Sequence, residues 1–355
     1  MGKKLKHGGD IRQMSEQFQI PLLQWLDLST CVSPYHYPVN NIPAAVFHCL
    51  PDNASGLLKA AQAYYQCDDM IACSGSQQAI QWLPKIFAPI PVALPDAGYQ
   101  EHAYRWQQAG HTPHWYDGYC PEQIERLIVE EAVEAALLIN PNNPTATIVD
   151  VDKILHWADL LAARGGVLII DEAFIDLTPQ RSVVAYCGRP GLIVLRSIGM
   201  FFGLAGIRAG FVMGESSLLR LMEAESSPWQ VSGPAEYLTI AALNDEAWQR
   251  QQRLKIAASK RSMVRLLANF FPQQFDDGGL FLSIKVEHKT AYAVYQALAE
   301  QGIAIRLGIY SSQWAFLRFG LISSECSRDY RRLEKALRKV SVLTEMNNIV
   351  MQPIR

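Results

Sequence analysis

The sequence predicts an α/β protein, with a large domain on a mostly parallel sheet and a smaller α+β domain at the C-terminal end. Three observations carry that prediction. Short apolar runs recur at the start of Ile71–Leu83 and at Pro91–Leu94, Ala135–Asn140, Val167–Ile170 and Leu192–Leu195, the last with β-branched residues. Helical periodicity separates several of them, the alternation that builds βαβ units and a parallel sheet. At 355 residues the chain also exceeds the ~250–300 residues at which one core stops growing. A long charged and apolar helix, residues 244–269, then bridges to a differently patterned C-terminal part. The expected division is an arm over 1–40, a large domain over 41–245 and a small domain over 246–355.

Taken in order, KHGGDI (Lys6–Ile11) sets two glycines beside His7 before a short helix. Flexible amides there are equipped to cradle an anion, although a plain turn has the same composition. LDLSTCVSPYHYP (Leu26–Pro38) reads as a short strand running into a proline-marked loop, and residues 53–66 carry helical periodicity. IACSGSQQAIQWL passes from strand through Gly75 and Ser76 into a helix, whose first amides suit a phosphate as well as a structural turn. Tyr99 follows the strand Pro91–Leu94, with His102, Tyr104 and Trp106 after it. The run AALLIN breaks at PNNPT, so Asn143 stands at a strand end before Pro144. After an amphipathic helix, Lys153–Arg164, the strand Val167–Ile170 ends directly at Asp171. Pro234 fits the first turn of a helix. Beyond the bridging helix come a hairpin-like FDDGGLFLSIKV, a helix from Ala291 to Gln301, GIAIRLG, the strand WAFLRFGLI and a basic last helix over 328–340. The small domain's strands thereby supply Arg306 and Arg318.

Composition narrows the function. A net charge of −2 provides no basic field for nucleic acid. No apolar run approaches the ~20 residues of a membrane span, and MGKKLKHGGDIRQ lacks the apolar stretch of a secretory signal. Seven scattered cysteines without C-x-x-C spacing suggest reduced cytoplasmic thiols, not a zinc site or a disulfide framework.

The chain is organised around LIVLRSIGMFFGLAGIRAGF, Leu192–Phe211, in which an apolar strand gives way to a glycine-rich tail that reads as a loop against a ligand. Ser197 and Arg208 bracket that loop with a hydroxyl and a fixed cation, the equipment of an anion site. In the fold type I pyridoxal-phosphate enzymes, the aspartate aminotransferase class, a serine, a lysine three residues on and an arginine eight further on hold the cofactor. Ser197, Met200 and Arg208 fall in that register, and the chain resembles the family over nearly its whole length.

The resemblance implies an aspartate-aminotransferase-like fold and pyridoxal 5'-phosphate as cofactor. Gly75, Ser76 and Gln77 would bind the cofactor phosphate with Ser197 and Arg208. Tyr99 would stack on the ring, Asn143 would donate to the ring hydroxyl, and Asp171 would keep the ring nitrogen protonated. Arg318, in FLRFG, would receive the substrate α-carboxylate as a bidentate fork.

HGGD, DEAFID, GLAGIR and PWQVSGPA together resemble the branch of the class that decarboxylates L-threonine O-3-phosphate to (R)-1-amino-2-propanol phosphate in cobalamin biosynthesis, itself similar to histidinol-phosphate aminotransferases. That implies a second anion site for the substrate phosphate from His7, Gly8, Gly9 and Arg306. It also implies a cytoplasmic homodimer acting on a small phosphorylated amino acid, with no membrane or nucleic-acid partner.

Three positions depart from the pattern. Phe174 replaces a tyrosine that bonds the ring hydroxyl in many members, and Leu50 stands where relatives place a tyrosine that reaches the partner subunit's cofactor. Met200 occupies the lysine position, and no lysine lies between Lys153 and Lys255. A thioether neither bonds an aldehyde nor carries a proton to Cα, so weak reversible cofactor binding and negligible turnover are expected. Met200 thus reads as an inactivating replacement or as the mark of a natural non-catalytic relative. An aminotransferase and a lysine-less binding protein remain the alternatives to a decarboxylase.

Overall fold

A computed structural model describes residues 8–51, 56–271 and 274–346. It divides into two compact units, the larger made of His36–Asn143 and Thr147–Arg250, the smaller of Met1–Tyr35, Pro144–Ala146 and Gln251–Arg355. The helix Glu246–Leu267 runs from one into the other.

In the smaller unit the first strand, β1 (Leu26–Asp27), lies parallel to β11 (Ile303–Ala304) with Leu26 opposite Ile303. The larger unit holds β2 (Met70–Cys73), β3 (Pro91–Pro95), β4 (Thr112–Tyr116), β5 (Ala135–Ile139), β6 (Val167–Asp171), β7 (Leu192–Ser197) and β8 (Gly210–Gly214). They form one sheet in the order β2-β8-β7-β6-β5-β3-β4, in which β8 alone runs antiparallel to its neighbours. The continuous apolar runs explain this: AALLI in β5 and VLIID in β6 are buried along their whole length, as strands covered on both faces must be. Ile80, Leu94, Trp106, Leu137, Ile169, Leu195 and Met222 belong to the core packed on the sheet. Truncating any of the large aliphatic side chains among them to alanine costs about 2–5 kcal/mol.

The smaller unit's second sheet orders β12 (Arg306–Ile309), β13 (Trp314–Gly320), β10 (Phe281–Glu287) and β9 (Asp276–Asp277), all antiparallel. The expected hairpin is β9–β10, and the helices expected over 291–301 and 328–340 occupy His288–Ala299 and Ser327–Met346.

Two features correct the sequence reading. The glycine-rich tail after β7 is not loop throughout, because Gly210–Gly214 forms β8 and fills the gap between β2 and β7. The thiols are not all reduced: Cys67 and Cys187 form a disulfide in the larger unit, bridging 120 residues. Two regular elements per half of the sheet also escaped the periodicity, the edge strand β4 with helix Gln123–Glu130, and β8 with helix Ser216–Ala224.

Behind the C-terminal end of β6 sits a buried ion cluster. Arg196 Nη1 is 3.0 Å from Glu172 Oε2 and donates to Ser182 Oγ at 3.1 Å, and its Nη2 pairs with Asp176. Its guanidinium lies 4.6 Å from the centre of the Tyr65 ring. Such a cluster ties the segment after Asp171 to β7, and removing one partner would strand a buried charge at about 3–5 kcal/mol.

Candidate active site

Strand register brings Ser197 and the Gly75 turn together. Gly210 opposes Ser197 on β7 and Cys73 on β2, so Ser197 and the turn that follows Cys73 meet at the same end of the sheet. A Cβ on Gly210 would lie 2.6 Å from the Ser76 amide nitrogen, so only glycine lets that turn come so close. Gly75 has φ of +71°, where glycine is free of strain, and a Cβ there would stand 2.6 Å from Arg208 Nη2. The guanidinium of Arg208 therefore rests on the backbone of the Gly75 turn. Arg208 itself adopts a left-handed backbone, and its Nη1 donates to the Ala205 carbonyl at 3.1 Å. Ser197 is buried, its Oγ accepting the Gly199 amide at 3.1 Å.

Asp171 ends β6, one strand from Ser197, and is 5% exposed. Its Oδ1 accepts the Ala173 amide at 3.0 Å and its Oδ2 lies 2.9 Å from His102 Nε2, with both side chains almost wholly buried. His102 is in the first turn of the helix Gln100–Gln108, whose N-cap is Tyr99. Tyr99 sits edge-on to His102 at 6.2 Å. Its hydroxyl is pushed up to about 12, first by burial, then by the negative charges of Glu101 and Asp171, with Arg208 opposing. Tyr99 donates to Gln77 Oε1 at 2.9 Å, and Gln77 Nε2 donates to Glu101 Oε2 at 3.0 Å.

Met200 is half-buried in the turn after β7. Asn143 lies four residues past the end of β5, not at its last residue; the neighbouring Asn142 is anchored through its side-chain amide to the carbonyls of Ala97 and Gly118 at 2.8 and 3.2 Å. Phe174 is buried and Leu50 is 68% exposed.

In the smaller unit, Arg306 and Arg318 face one another across β12 and β13. Arg318 is buried, donates to the Ser29 carbonyl, and has its guanidinium 5.5 Å from the centre of the Phe281 ring. The Gly9 amide donates to Ser29 Oγ at 2.8 Å, and a Cβ on Gly8 would lie 2.3 Å from the Ser29 carbonyl oxygen. Ser29 Oγ in turn donates to Asp27 Oδ1 at 2.6 Å. The glycine pair therefore packs on Ser29 beside Arg318, and the Gly9 amide is engaged there. His7 lies outside the described residues. Burial lowers the pKa of Arg306, Arg318 adds repulsion, and Tyr295 opposes both.

His102 and Glu101, bonded to Asp171 and Gln77, were not singled out from the sequence. Their signal was position: both follow Tyr99 in a helix's first turn, immediately after a strand end.

A carboxylate, a hydroxyl, a guanidinium and a glycine turn stand at or just beyond strand ends of one α/β sheet, the place where ligands of such sheets bind. The chain belongs to the aminotransferase class I and II family, whose model matches residues 51–337. It is 39% identical over 337 residues to the threonine-phosphate decarboxylase of Pseudomonas aeruginosa, covering 94% of this chain and 97% of that protein. To the threonine-phosphate decarboxylase of a Sinorhizobium species it is 32% identical over 360 residues, covering 96% of this chain and all of that one. Histidinol-phosphate aminotransferase from Sinorhizobium meliloti, solved in complex with pyridoxal-5'-phosphate, shares the fold with a TM-score of 0.82, 18% identity and 96% coverage of both chains.

Proposed function

We propose that the larger unit binds pyridoxal 5'-phosphate and that the chain is, by descent, a decarboxylase of L-threonine O-3-phosphate yielding (R)-1-amino-2-propanol phosphate for cobalamin biosynthesis. The near full-length similarity to two threonine-phosphate decarboxylases carries this reading. The residues fit the cofactor. The glycines at 75 and 210 let the Arg208 guanidinium and the Ser76 amide approach as no other residue would, and the donor set offers a carboxylate for a pyridinium and a hydroxyl with a guanidinium for a phosphate.

When bound, the cofactor supplies a ring that accepts the electron pair left at the substrate Cα. Asp171 holds the proton on the ring nitrogen, and His102 holds Asp171. Ser197, Arg208 and the Gly75–Gln77 backbone take the phosphate, Tyr99 covers a ring face, and Asn143 donates to the ring hydroxyl. Arg318 grips the substrate α-carboxylate and Arg306 its phosphate, while Gly8 and Gly9 close on Ser29 beside Arg318. His7 joins them by resemblance alone. Met200 contributes neither an amine to bond the aldehyde nor a group to move a proton, so the unaltered chain binds cofactor reversibly and turns over negligibly. A cytoplasmic homodimer belongs to the same proposal. Among the described residues no helix is long and apolar enough to cross a membrane.

Met200 itself favours a second reading, a non-catalytic binding protein. Met200→Lys separates the readings. The decarboxylase gains a visible absorbance band with cofactor and releases CO2 from L-threonine O-3-phosphate. A variant that binds cofactor, releases no CO2 and converts the cofactor to its amine form is an aminotransferase. One that binds cofactor and does neither is a binding protein.

A further inference from the structure

We infer that Glu101 is a positioning residue for the cofactor site, acting through Gln77 on the hydroxyl of Tyr99. The chemistry of the chain of bonds fixes its direction. Glu101 is 8% exposed and its carboxylate only accepts, so the Gln77 amide must turn its nitrogen to Glu101, at 3.0 Å. That turns the amide oxygen to Tyr99, whose hydroxyl donates at 2.9 Å. Arg105, one helical turn along, donates Nε to the same carboxylate oxygen at 3.3 Å and holds it in place. With a neutral amide at position 101 the direction is lost, because either face of Gln77 could then point at Tyr99.

The relay also joins two parts of the site. Gln77 lies in the first turn of the helix Ser76–Trp82, beside the Gly75 cradle that touches Arg208, and Tyr99 begins the next helix, beside His102 and Asp171. Glu101 therefore holds the phosphate turn and the tyrosine ring in one fixed relation. The side chain of Gln77 is spent on this relay, which leaves its backbone amide as its contact with an anion. Burial first and the Glu101 charge second raise the Tyr99 hydroxyl.

The inference rests on Tyr99 covering the cofactor, and the test separates the two. Binding of pyridoxal 5'-phosphate to the full chain is followed by quenching of tryptophan fluorescence, in the unaltered protein, Glu101→Gln, Tyr99→Phe, the double variant and Tyr99→Ala. Glu101→Gln is expected to weaken binding about tenfold, the size of one charge-assisted hydrogen bond, with the melting temperature unmoved. In the Tyr99→Phe background the same change is expected to cost less than about twofold, because the hydroxyl it acts through is gone. Equal losses in both backgrounds, or no loss in either, overturn the inference. Unchanged binding by Tyr99→Ala overturns the placement of Tyr99 itself.

Discussion

His102 Nε2 and Asp171 Oδ2 stand 2.9 Å apart with 2% and 6% of their side chains exposed. Buried in this way, the imidazole fixes which carboxylate oxygen is engaged and so aims the other atoms of the group. Under the proposed function Asp171 pairs with a protonated ring nitrogen, a charge-assisted bond worth about 1.5–3 kcal/mol. Asp171→Asn should therefore weaken pyridoxal 5'-phosphate binding about ten- to hundredfold, measured by titration of the unaltered chain and the variant. An analogue with carbon in place of the ring nitrogen should bind both proteins alike. If the variant discriminates against that analogue as strongly as the parent does, Asp171 does not face the ring nitrogen.

Arg306 and Arg318 oppose each other across β12 and β13, two cations at facing positions of one ladder. Like charges opposed in this way repel, and an anion bound between them would relieve that repulsion. Arg306→Gln should remove most of the upward melting-temperature shift given by O-phosphothreonine while sparing the smaller shift given by threonine. Arg318→Gln should lose both shifts and lower the ligand-free melting temperature, because that guanidinium is buried and bonded to Ser29. Loss of the phosphate-dependent shift from Arg318→Gln alone would move the phosphate site away from Arg306.

The parallel core was legible because strands buried on both faces must be apolar throughout, and VLIID or AALLI admits few other readings. β8 was hidden because GFVMG is short, bounded by glycine and merged with a tail whose earlier part really is a turn. β4, TPHWY, lies at the sheet edge, where half-exposed His114 and exposed Trp115 blur the apolar signal. Asp171 was singled out by the strand it follows, and Ser197 and Arg208 by the loop they bracket and the family register they fall in. Glu101 was not, since a glutamate in a first helical turn is ordinarily a solvated charge and its burial depends on Gln77, 24 positions away. The Cys67–Cys187 pairing followed from tertiary contact that no spacing rule encodes.

Two buried thiols set an alkaline limit on stability. Burial pushes Cys31 from 9.0 up to about 11 and Cys73 up to about 12. Between pH 9 and these values the unfolded chain gives up both protons while the folded chain keeps them. The folded state then binds more protons, so stability is full below pH 9 and declines above it, by at most about 1.4 kcal/mol per pH unit for each thiol. Urea unfolding at pH 8, 9, 10 and 11 should show this slope, and Cys31→Ala and Cys73→Ala should each flatten it while lowering stability at pH 8. A slope unchanged in both variants would assign the alkaline loss to tyrosines instead.

Cys67 and Cys187 join segments that other contacts already hold together. Tyr64 donates to Asp176 at 3.1 Å and Tyr65 lies under the Arg196 guanidinium, so the bond closes a loop of 120 residues onto a preformed contact. Closing a loop of that length removes unfolded-state entropy, and disulfides of this kind stabilise by about 2–4 kcal/mol. Denatured without reductant, the chain should titrate five free thiols, Cys31, Cys49, Cys73, Cys120 and Cys326, and seven after reduction. Cys67→Ser should lower the melting temperature of the oxidised protein to that of the reduced one, and reductant should shift the variant no further. Both sulfurs are buried, so reduction should keep pace with unfolding and speed up in mild denaturant. Seven thiols without reductant would mean that the cysteines meet as two packed thiols, as expected of a protein kept in a reducing compartment.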